Sequence, residues 1–202
     1  MEFLNFQEIR KILLDYKIPF CKSKLVDSQE EAVRVGAEIG YPVVLKIFSL
    51  KGVHKLKKGG VVTNIKNKEE LVKAWNVLSD IEKDGILIQE MVFGKELIIG
   101  MKDDPQFGPV ILFGLGGIFA EALNDVSLRI APVNKKEALK MIKEIKASSL
   151  LDGLRLDKLI EIITSLSDLS LKEKLKEIDF NPVIINEKQV LVVDARFLVK
   201  NE

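Results

Sequence analysis

Cysteine, histidine and tryptophan are nearly absent from this sequence, and charge of neither sign dominates it. Each of these residue types occurs once among 202 residues, as Cys21, His54 and Trp75. One cysteine excludes an internal disulfide and fits a reducing compartment. The 31 basic and 30 acidic residues leave a formal net charge of +1, so no overall field favours a nucleic acid or an anionic membrane as partner.

Long apolar runs are also missing, since none approaches the roughly 20 residues that a membrane-spanning helix needs. The hydrophobic content of 47% and the charged content of 30% are ordinary for a globular protein that buries a core. We therefore expect a cytoplasmic protein that has neither a nucleic acid nor a membrane as partner.

Short apolar segments rich in β-branched residues alternate with segments of helical periodicity. Capping residues predict helix starts at Ser28, Asn67 and Asn134, each followed three residues later by glutamate. Strands are predicted at 43–48, 60–65, 86–92, 96–101, 110–113, 178–185 and 190–194. The last two are joined by four polar residues, which indicates a hairpin. Hairpins mixed with helical crossovers favour an α+β fold.

The best internal boundary lies near Phe93-Gly94, between two predicted strands. We expect an N-terminal helix over residues 5–16 and a first subdomain within 1–92, followed by a second subdomain over 93–202. No repeat, low-complexity tract or long linker separates them, so two small packed lobes are expected.

Lys46 stands in the middle of the apolar strand segment Val43–Phe48. A buried ammonium without a partner is costly, so this lysine needs either an anion or an exposed face. An isolated lysine of this kind is most often an edge-strand residue that faces water. The downstream sequence favours the anion, because a loop rich in lysine and glycine follows.

That loop carries Gly59 and Gly60, whose backbone N–H groups could approach a phosphate closely. It also carries His54, which would be nucleophilic near neutral pH and could hold a phosphoryl group. The alternatives are an ordinary hairpin loop, a structural histidine, or a phosphodiester-binding patch of lysines. The last is less favoured because no aromatic residue is interleaved for base stacking.

Three further segments carry weaker signals. Gln89–Val92 ends a strand and could bind an adenine edge through its backbone, and Glu96 could contact ribose or simply face solvent. Three glycines within Phe113–Glu121 suggest an anion-binding or mobile loop, although the dinucleotide-binding spacing is absent. In the C-terminal hairpin, Asn181 and Asp194 could lie side by side as oxygen ligands of Mg²⁺, or they could be turn and strand-end residues.

In this order the motifs resemble the β subunit of the NDP-forming acyl-CoA synthetases, a family that includes ADP-forming acetate–CoA ligase. The resemblance covers nearly the whole chain. The matching segments are EIGYPVVLKI (38–47), VHK (53–55), GGV (59–61), residues 95–132, DFNPVII (179–185) and VDAR (193–196). A long ordered series of this kind is far more specific than any single motif.

The resemblance implies an ATP-grasp fold of two small lobes that enclose ADP or ATP. Motif positions imply a phosphate contact for Lys46, adenine contacts for Glu90 and Val92, and a sugar contact for Glu96. They imply magnesium ligands at Asn181 and Asp194, and they place His54 at the position of a phosphohistidine. That histidine would carry phosphate from a separate CoA-binding α subunit, in a hetero-oligomer, to the nucleotide.

The sequence departs from the family pattern at two places. Leu56 and Lys57 stand where the family usually has threonine or serine and then aspartate, and Leu156 replaces a glycine. These departures favour an alternative, a non-catalytic or regulatory nucleotide-binding subunit. A further alternative, independent of them, is an ATP-grasp carboxylate–amine ligase that acts through an acyl phosphate, for which no acceptor-site motif is found.

Overall fold

The computed structural model describes residues 2–49, 59–81, 83–117 and 125–200. They form two compact units. Unit 1 contains Met1–Phe20 together with Phe93–Glu202, and unit 2 contains Cys21–Val92.

Unit 2 is an antiparallel sheet with two helices on one face. Its elements in chain order are β1 (Ser23–Val26), α2 (Gln29–Ile39), β2 (Val43–Phe48), β3 (Val61–Ile65), α3 (Lys68–Ser79) and β4 (Gly85–Glu90). The four strands are arranged in the order β1-β4-β2-β3. Alternate residues of the strands pack with α2 and α3 in one apolar core, including Leu45, Ile47, Ile86 and Ile88.

The helix starts of unit 2 follow from capping chemistry. The Ser28 side chain accepts the Glu31 N–H at 3.1 Å, and the Asn67 side chain accepts the Glu70 N–H at 2.9 Å. The helix α2 ends at Gly40, whose φ of +93° few other residues adopt. These predicted boundaries are confirmed.

Unit 1 is a larger antiparallel sheet with helices packed on its apolar face. Its elements are α1 (Phe6–Asp15), β5 (Lys95–Asp104), β6 (Gly108–Leu115), β7 (Val126–Ile130), α4 (Lys135–Glu144), a 3₁₀ turn (Ser148–Leu151), α5 (Leu156–Lys172), β8 (Leu175–Ile185), β9 (Val190–Val192) and β10 (Ala195–Val199). The strand order is β10-β8-β5-β6-β7, with β9 also paired to β8. The predicted C-terminal hairpin is therefore confirmed as β8–β9.

The first 20 residues pack with residues 93–202 rather than with the rest of 1–92. Ile9 and Leu13 of α1 enter the core of unit 1, and the Leu4 N–H donates to the Phe197 carbonyl oxygen at 3.0 Å. The two units share the expected boundary between residues 92 and 93. The division of the chain into functional subdomains stays a prediction.

An α+β fold of the ATP-grasp kind was expected, and the two antiparallel sheets with their helices agree with it. The sequence did not predict β1, β7 or β10, each of which has at most five residues. Across the described ranges, no helix combines the length and the apolar character that crossing a bilayer requires.

Candidate functional site

Lys46 lies in the middle of β2, on the sheet face opposite the helices of unit 2. β2 is an interior strand, and Lys46 stands opposite Leu87 of β4 and Val61 of β3. Lys46 is only 6% exposed. The alternative of an edge-strand lysine that faces water is therefore wrong. A buried ammonium among apolar neighbours requires an anion or another polar partner, and phosphate binding by Lys46 stays a prediction.

Two glycines return the chain to the sheet beside Lys46. Gly60 is buried, and its carbonyl oxygen accepts the Ile47 N–H at 2.9 Å. Gly59 has a φ of +66°, a left-handed conformation that side chains disfavour. The turn thus places glycine backbone next to the strand that carries the buried lysine.

Two parts of the predicted site lie outside the described residues. His54 lies there within 50–58, together with Leu56 and Lys57. The end of the glycine segment lies there within 118–124. Their roles stay predictions from the sequence.

The end of β4 has an unusual hydrogen-bond pattern around Glu90. The Glu90 N–H donates to the Lys22 carbonyl oxygen at 2.9 Å, but the Lys22 N–H donates to the Glu90 side-chain oxygen Oε1 at 2.7 Å. The next residue, Met91, donates its N–H to the Pro42 carbonyl oxygen at 3.2 Å. The Glu90 carboxylate is thus held by its own sheet, so an adenine contact would use the Glu90 backbone.

Gln89 belongs to the segment Gln89–Val92, whose backbone was expected to bind adenine, but no role was predicted for its side chain. It is 1% exposed and pairs with Val44 of β2 and Ser23 of β1. Within the described ranges its Oε1 atom has no hydrogen-bond partner. The sequence shows only that a glutamine ends the apolar run from Ile86 to Gln89. Exposed strands have the same pattern, so the burial of this side chain could not be predicted from it.

Glu96 lies exposed on β5 of unit 1, next to the glycine segment. Its carbonyl oxygen accepts the Gly116 N–H at 2.8 Å. A Cβ at Gly116 would lie 3.1 Å from the backbone of Glu96 and Leu97, and one at Gly114 would lie 2.9 Å from the Asp125 carbonyl oxygen. Close backbone approach therefore explains both glycines without an anion.

Asn181 and Asp194 lie opposite each other in unit 1. The Asn181 N–H donates to the Asp194 carbonyl oxygen at 3.1 Å. The register of β8 against β5 shifts here, between Leu97 and Ile99, and this irregularity accommodates Pro182, which has no N–H for the ladder. The predicted proximity of Asn181 and Asp194 is confirmed, whereas their metal-binding role stays a prediction.

Asp179 is a further acidic residue of this region, for which no role was predicted. It stands opposite Arg196 of β10 and alternates with the core residues of β8, so it lies on the same sheet face as Asn181. Burial raises the pKa of the Asp179 carboxyl to about 6. The Arg196 guanidinium opposes that rise, and the negative charges of Asp194 and Glu177 add to it.

The donor chemistry of Asn181 and Asp194 fits magnesium. Mg²⁺ prefers oxygen ligands and keeps waters and substrate phosphates in its shell, so one or two protein ligands suffice. Among the residues that the structure describes, no group of three or more histidine, cysteine, aspartate or glutamate side chains forms a dedicated metal cage. An amide and a carboxylate can supply two ligands to Mg²⁺, and the nucleotide phosphates and waters would supply the others.

The chain is similar to known proteins over its whole length. An ATP-grasp domain model matches residues 1–199. The β subunit of ADP-forming acetate–CoA ligase I from Pyrococcus furiosus is 45% identical, over 95% of this chain and 90% of the relative.

Solved structures of acetyl-coenzyme A synthetase 1 from Candidatus Korarchaeum cryptofilum are also similar. A complex with coenzyme A and Ca-AMPCP has a TM-score of 0.90 at 39% identity and covers 99% of this chain and 93% of that one. A complex with coenzyme A and Mg-AMPPCP, with its phosphohistidine segment pointing towards the nucleotide-binding site, has a TM-score of 0.84 at 40% identity and covers 98% and 93%.

Proposed function

We propose a function for this chain from one premise: it belongs to the ATP-grasp family, and within it to the β subunits of the ADP-forming acetate–CoA ligases. The chain handles the nucleotide in the reaction that converts acyl-CoA, ADP and phosphate into the free acid, CoA and ATP. The observation that carries this proposal is the pairing of Asn181 with Asp194, at 3.1 Å between backbone nitrogen and oxygen. The pairing brings to adjacent positions two residues whose side chains carry the oxygen atoms that a magnesium–nucleotide complex requires.

Unit 2 supplies the groups proposed for the phosphates and the base. The Lys46 ammonium neutralises phosphate charge, and the N–H groups of Gly59 and Gly60 add donors beside it. The backbone of Glu90 and Val92 binds the adenine edge. Burial of Lys46 supports its part, because a buried cation binds an anion more strongly than a solvated one does.

Unit 1 supplies the groups proposed for the metal and the sugar. Asn181 and Asp194 would hold Mg²⁺, which neutralises the charge of the transferring phosphoryl group when bound. The exposed carboxylate of Glu96 accepts hydrogen bonds from the ribose hydroxyls. These contacts orient the nucleotide. Orientation and charge neutralisation are the main contributions of a protein to the catalysis of phosphoryl transfer.

His54 is proposed to carry the phosphoryl group. In ATP formation the phosphorus–nitrogen bond of phosphohistidine breaks, and a terminal phosphate oxygen of ADP forms the new phosphorus–oxygen bond. The nitrogen keeps the electron pair of the broken bond, so neutral imidazole is regenerated. A separate CoA-binding α subunit loads the histidine in a cytoplasmic hetero-oligomer, and the naming of the relatives as β subunits supports that partner.

Reconstitution with the CoA-binding partner tests this function. Incubation with acetyl-CoA and radiolabelled phosphate should label this chain, and adding ADP with Mg²⁺ should move the label into ATP. His54→Ala should abolish labelling, whereas Lys55→Ala, its neighbour, should preserve it. Labelling that survives in His54→Ala would refute the carrier role.

A non-catalytic nucleotide-binding subunit is the second candidate. The departures at Leu56, Lys57 and Leu156 favour it, since Lys57 reverses the charge beside the proposed carrier. This candidate expects Mg²⁺-dependent ADP binding without label on His54. The same reconstitution therefore separates the two functions.

A further inference from the structure

The strand β7 forms an uncovered edge of the sheet of unit 1. The strand order places β10 and β7 at the two ends of this sheet. Residues 2–4 cover the β10 edge, where the Leu4 N–H donates to the Phe197 carbonyl oxygen at 3.0 Å. Beyond β7 no further strand lies in the part of the chain that the structure describes. An uncovered edge pairs readily with another chain, so proteins usually cover it or place charges on it.

Alternate residues of β7 direct their backbone groups to this edge. The Ala131 N–H donates to the Pro109 carbonyl oxygen at 2.9 Å, and hydrogen-bonded pairs alternate along an antiparallel ladder. The Leu128 carbonyl oxygen accordingly points away from β6 and accepts the Arg129 guanidinium at 2.8 Å. A carbonyl oxygen has a second lone pair for another donor. The residues whose N–H and C=O groups point outward are Val126, Leu128 and Ile130.

The same three residues present apolar side chains to solvent. Val126 is 43% exposed, and Leu128 and Ile130 are each 53% exposed. Their cross-strand neighbours Leu112 and Val110 are partly buried and extend the apolar area onto β6. These five side chains form the β7 surface, which contains neither a charge nor a proline to discourage pairing. A contiguous exposed apolar surface of this kind is typical of an interaction site.

A lysine-rich helix lies beside β7. The helix α4 packs against β7, where the Arg129 guanidinium binds the Glu144 carboxylate at 2.6 Å. Residues 126–147 carry six basic and two acidic side chains, although the net charge of the whole chain is +1. Both acids, Glu137 and Glu144, bind Arg129. The exposed lysines are Lys135, Lys136, Lys140, Lys143 and Lys146.

This charge favours a different protein over a second copy of the chain as the occupant of the β7 edge. Pairing of two copies through β7 would bring two lysine-rich helices together, and like charges across an interface are unfavourable. A partner with acidic side chains around an apolar strand would be attracted instead. Charge complementarity therefore predicts an acidic partner.

The β7 surface lies on the sheet face of the proposed metal ligands. Leu128 pairs with Leu112, and Leu112 pairs with Gly100 of β5. Gly100 pairs with Asp179 of β8, which shares its face with Asn181. Directly paired residues project to the same face, and three strand spacings separate β7 from β8 by about 14 Å. A partner on β7 would therefore lie within reach of the proposed metal site.

We propose that β7 is the docking edge for the CoA-binding α subunit, which adds an extended segment to the sheet of unit 1. Alternate apolar side chains of that segment cover the β7 surface, and acidic side chains flanking it face the lysines of α4. Backbone hydrogen bonds to the outward groups of β7 fix its register. The inference rests on the proposed function, because the carrier role of His54 requires a partner that loads it.

The affinity of this chain for the separately purified α subunit, measured by biolayer interferometry, tests the proposal. Leu128→Glu should weaken binding by about 10-fold or more, because a charge replaces an apolar contact. Leu128→Pro should also weaken it, since proline removes an outward N–H and leaves the bonds to β6 in place. Leu14→Glu is the matched control, because Leu14 is 71% exposed on α1. It should bind the α subunit as wild type does.

The charge of α4 is tested by a pair of substitutions. Lys136→Glu together with Lys143→Glu should slow association with the α subunit and reduce its dependence on salt. Lys68→Glu together with Lys73→Glu makes the same change of charge on exposed positions of α3, and its association rate should stay close to that of wild type. Equal effects of the two pairs would contradict acidic complementarity at α4.

Binding of ADP with Mg²⁺ by the isolated chains separates the possible failures. All variants should retain the wild-type ADP affinity, which also shows that they are folded. If the α subunit binds wild type, Leu128→Glu and Leu128→Pro equally well, β7 is not the docking edge and the proposed function stands. If wild type binds neither the α subunit nor ADP, the proposed function fails as well.

Sedimentation of the chain alone tests the other occupant. The wild-type chain should be monomeric, since the lysine-rich helices disfavour pairing of two copies. A wild-type dimer that Leu128→Glu dissociates would assign β7 to a second copy and overturn the proposal. The lysine variants lie on an exposed helix face, so they decide the proposal even if a β7 variant does not fold.

Discussion

Asn181 and Asp194 are joined through their backbones, with the Asn181 N–H donating to the Asp194 carbonyl oxygen at 3.1 Å. This bond fixes the spacing of two side chains whose oxygens suit Mg²⁺. The two residues are 13 positions apart in sequence, and the β8–β9 hairpin brings them together.

Replacing one oxygen ligand should weaken metal-dependent binding without unfolding the chain. We expect Asp194→Asn to lower ADP affinity about 10-fold in the presence of Mg²⁺, because loss of a charged ligand costs roughly 1.5–3 kcal/mol. Without Mg²⁺ the variant and wild type should bind ADP alike. Titrations with and without the metal measure both. Asp152→Asn, on an exposed turn, is the control, and an equal loss without Mg²⁺ would contradict a metal role.

The burial of Asp179 predicts a pH dependence of stability. Burial raises the pKa of its carboxyl from the ordinary value of 3.8 to about 6 in the folded chain. The folded state therefore holds the proton more tightly than the unfolded state, and ionisation lowers stability as pH rises from about 4 to about 6. At pH 7 the loss would reach about 3 kcal/mol.

Asp179→Asn should remove that loss. We expect the free energy of unfolding of the variant to equal that of wild type near pH 4 and to exceed it by up to about 3 kcal/mol above pH 6. The gain is reduced by the attraction between the Asp179 carboxylate and Arg196, which the variant lacks. Urea unfolding across this pH range, with metal chelated, gives the difference. A stability difference that does not change with pH would contradict the assignment.

The strand around Lys46 could be read from sequence because its cues are local. The apolar segment Val43–Phe48 follows a glycine stop and a proline, and the structure gives the same bounds. The partner of the N-terminal helix could not be read in this way. An amphipathic stripe shows that Ile9 and Leu13 are buried but not against which sheet.

The side-chain environments of Gln89, Glu90 and Asp179 could not be predicted from the sequence, because they depend on the register of the strands. Only the pairing with Lys22 reveals that the Glu90 carboxylate replaces a carbonyl oxygen in the ladder. Similarly, Asp179 resembles any polar residue of an alternating strand until Arg196 is placed opposite it. The surroundings of these side chains depend on their cross-strand neighbours, which cannot be identified from the sequence alone.

Gly94 should tolerate no side chain. A Cβ there would overlap the Ile185 carbonyl oxygen, which is backbone and cannot rotate away. Gly108 has a φ of +71° but open space around its Cα. We expect Gly108→Ala to cost about 1–2 kcal/mol, the usual cost of a left-handed conformation, and Gly94→Ala to cost more. Urea unfolding of both variants gives the comparison, and equal costs would contradict the steric argument.

Lys46 should matter more for binding than for stability. We expect Lys46→Met, which keeps the length and apolar packing of the side chain, to lower ADP affinity by about 10-fold or more because a charged hydrogen bond is lost. Its unfolding free energy should change much less, since a buried ammonium itself carries a desolvation cost. Lys102→Met, on an exposed strand position, is the control for removing one positive charge. If Lys46→Met lowers stability as strongly as it lowers ADP affinity, Lys46 is a structural residue rather than a phosphate ligand.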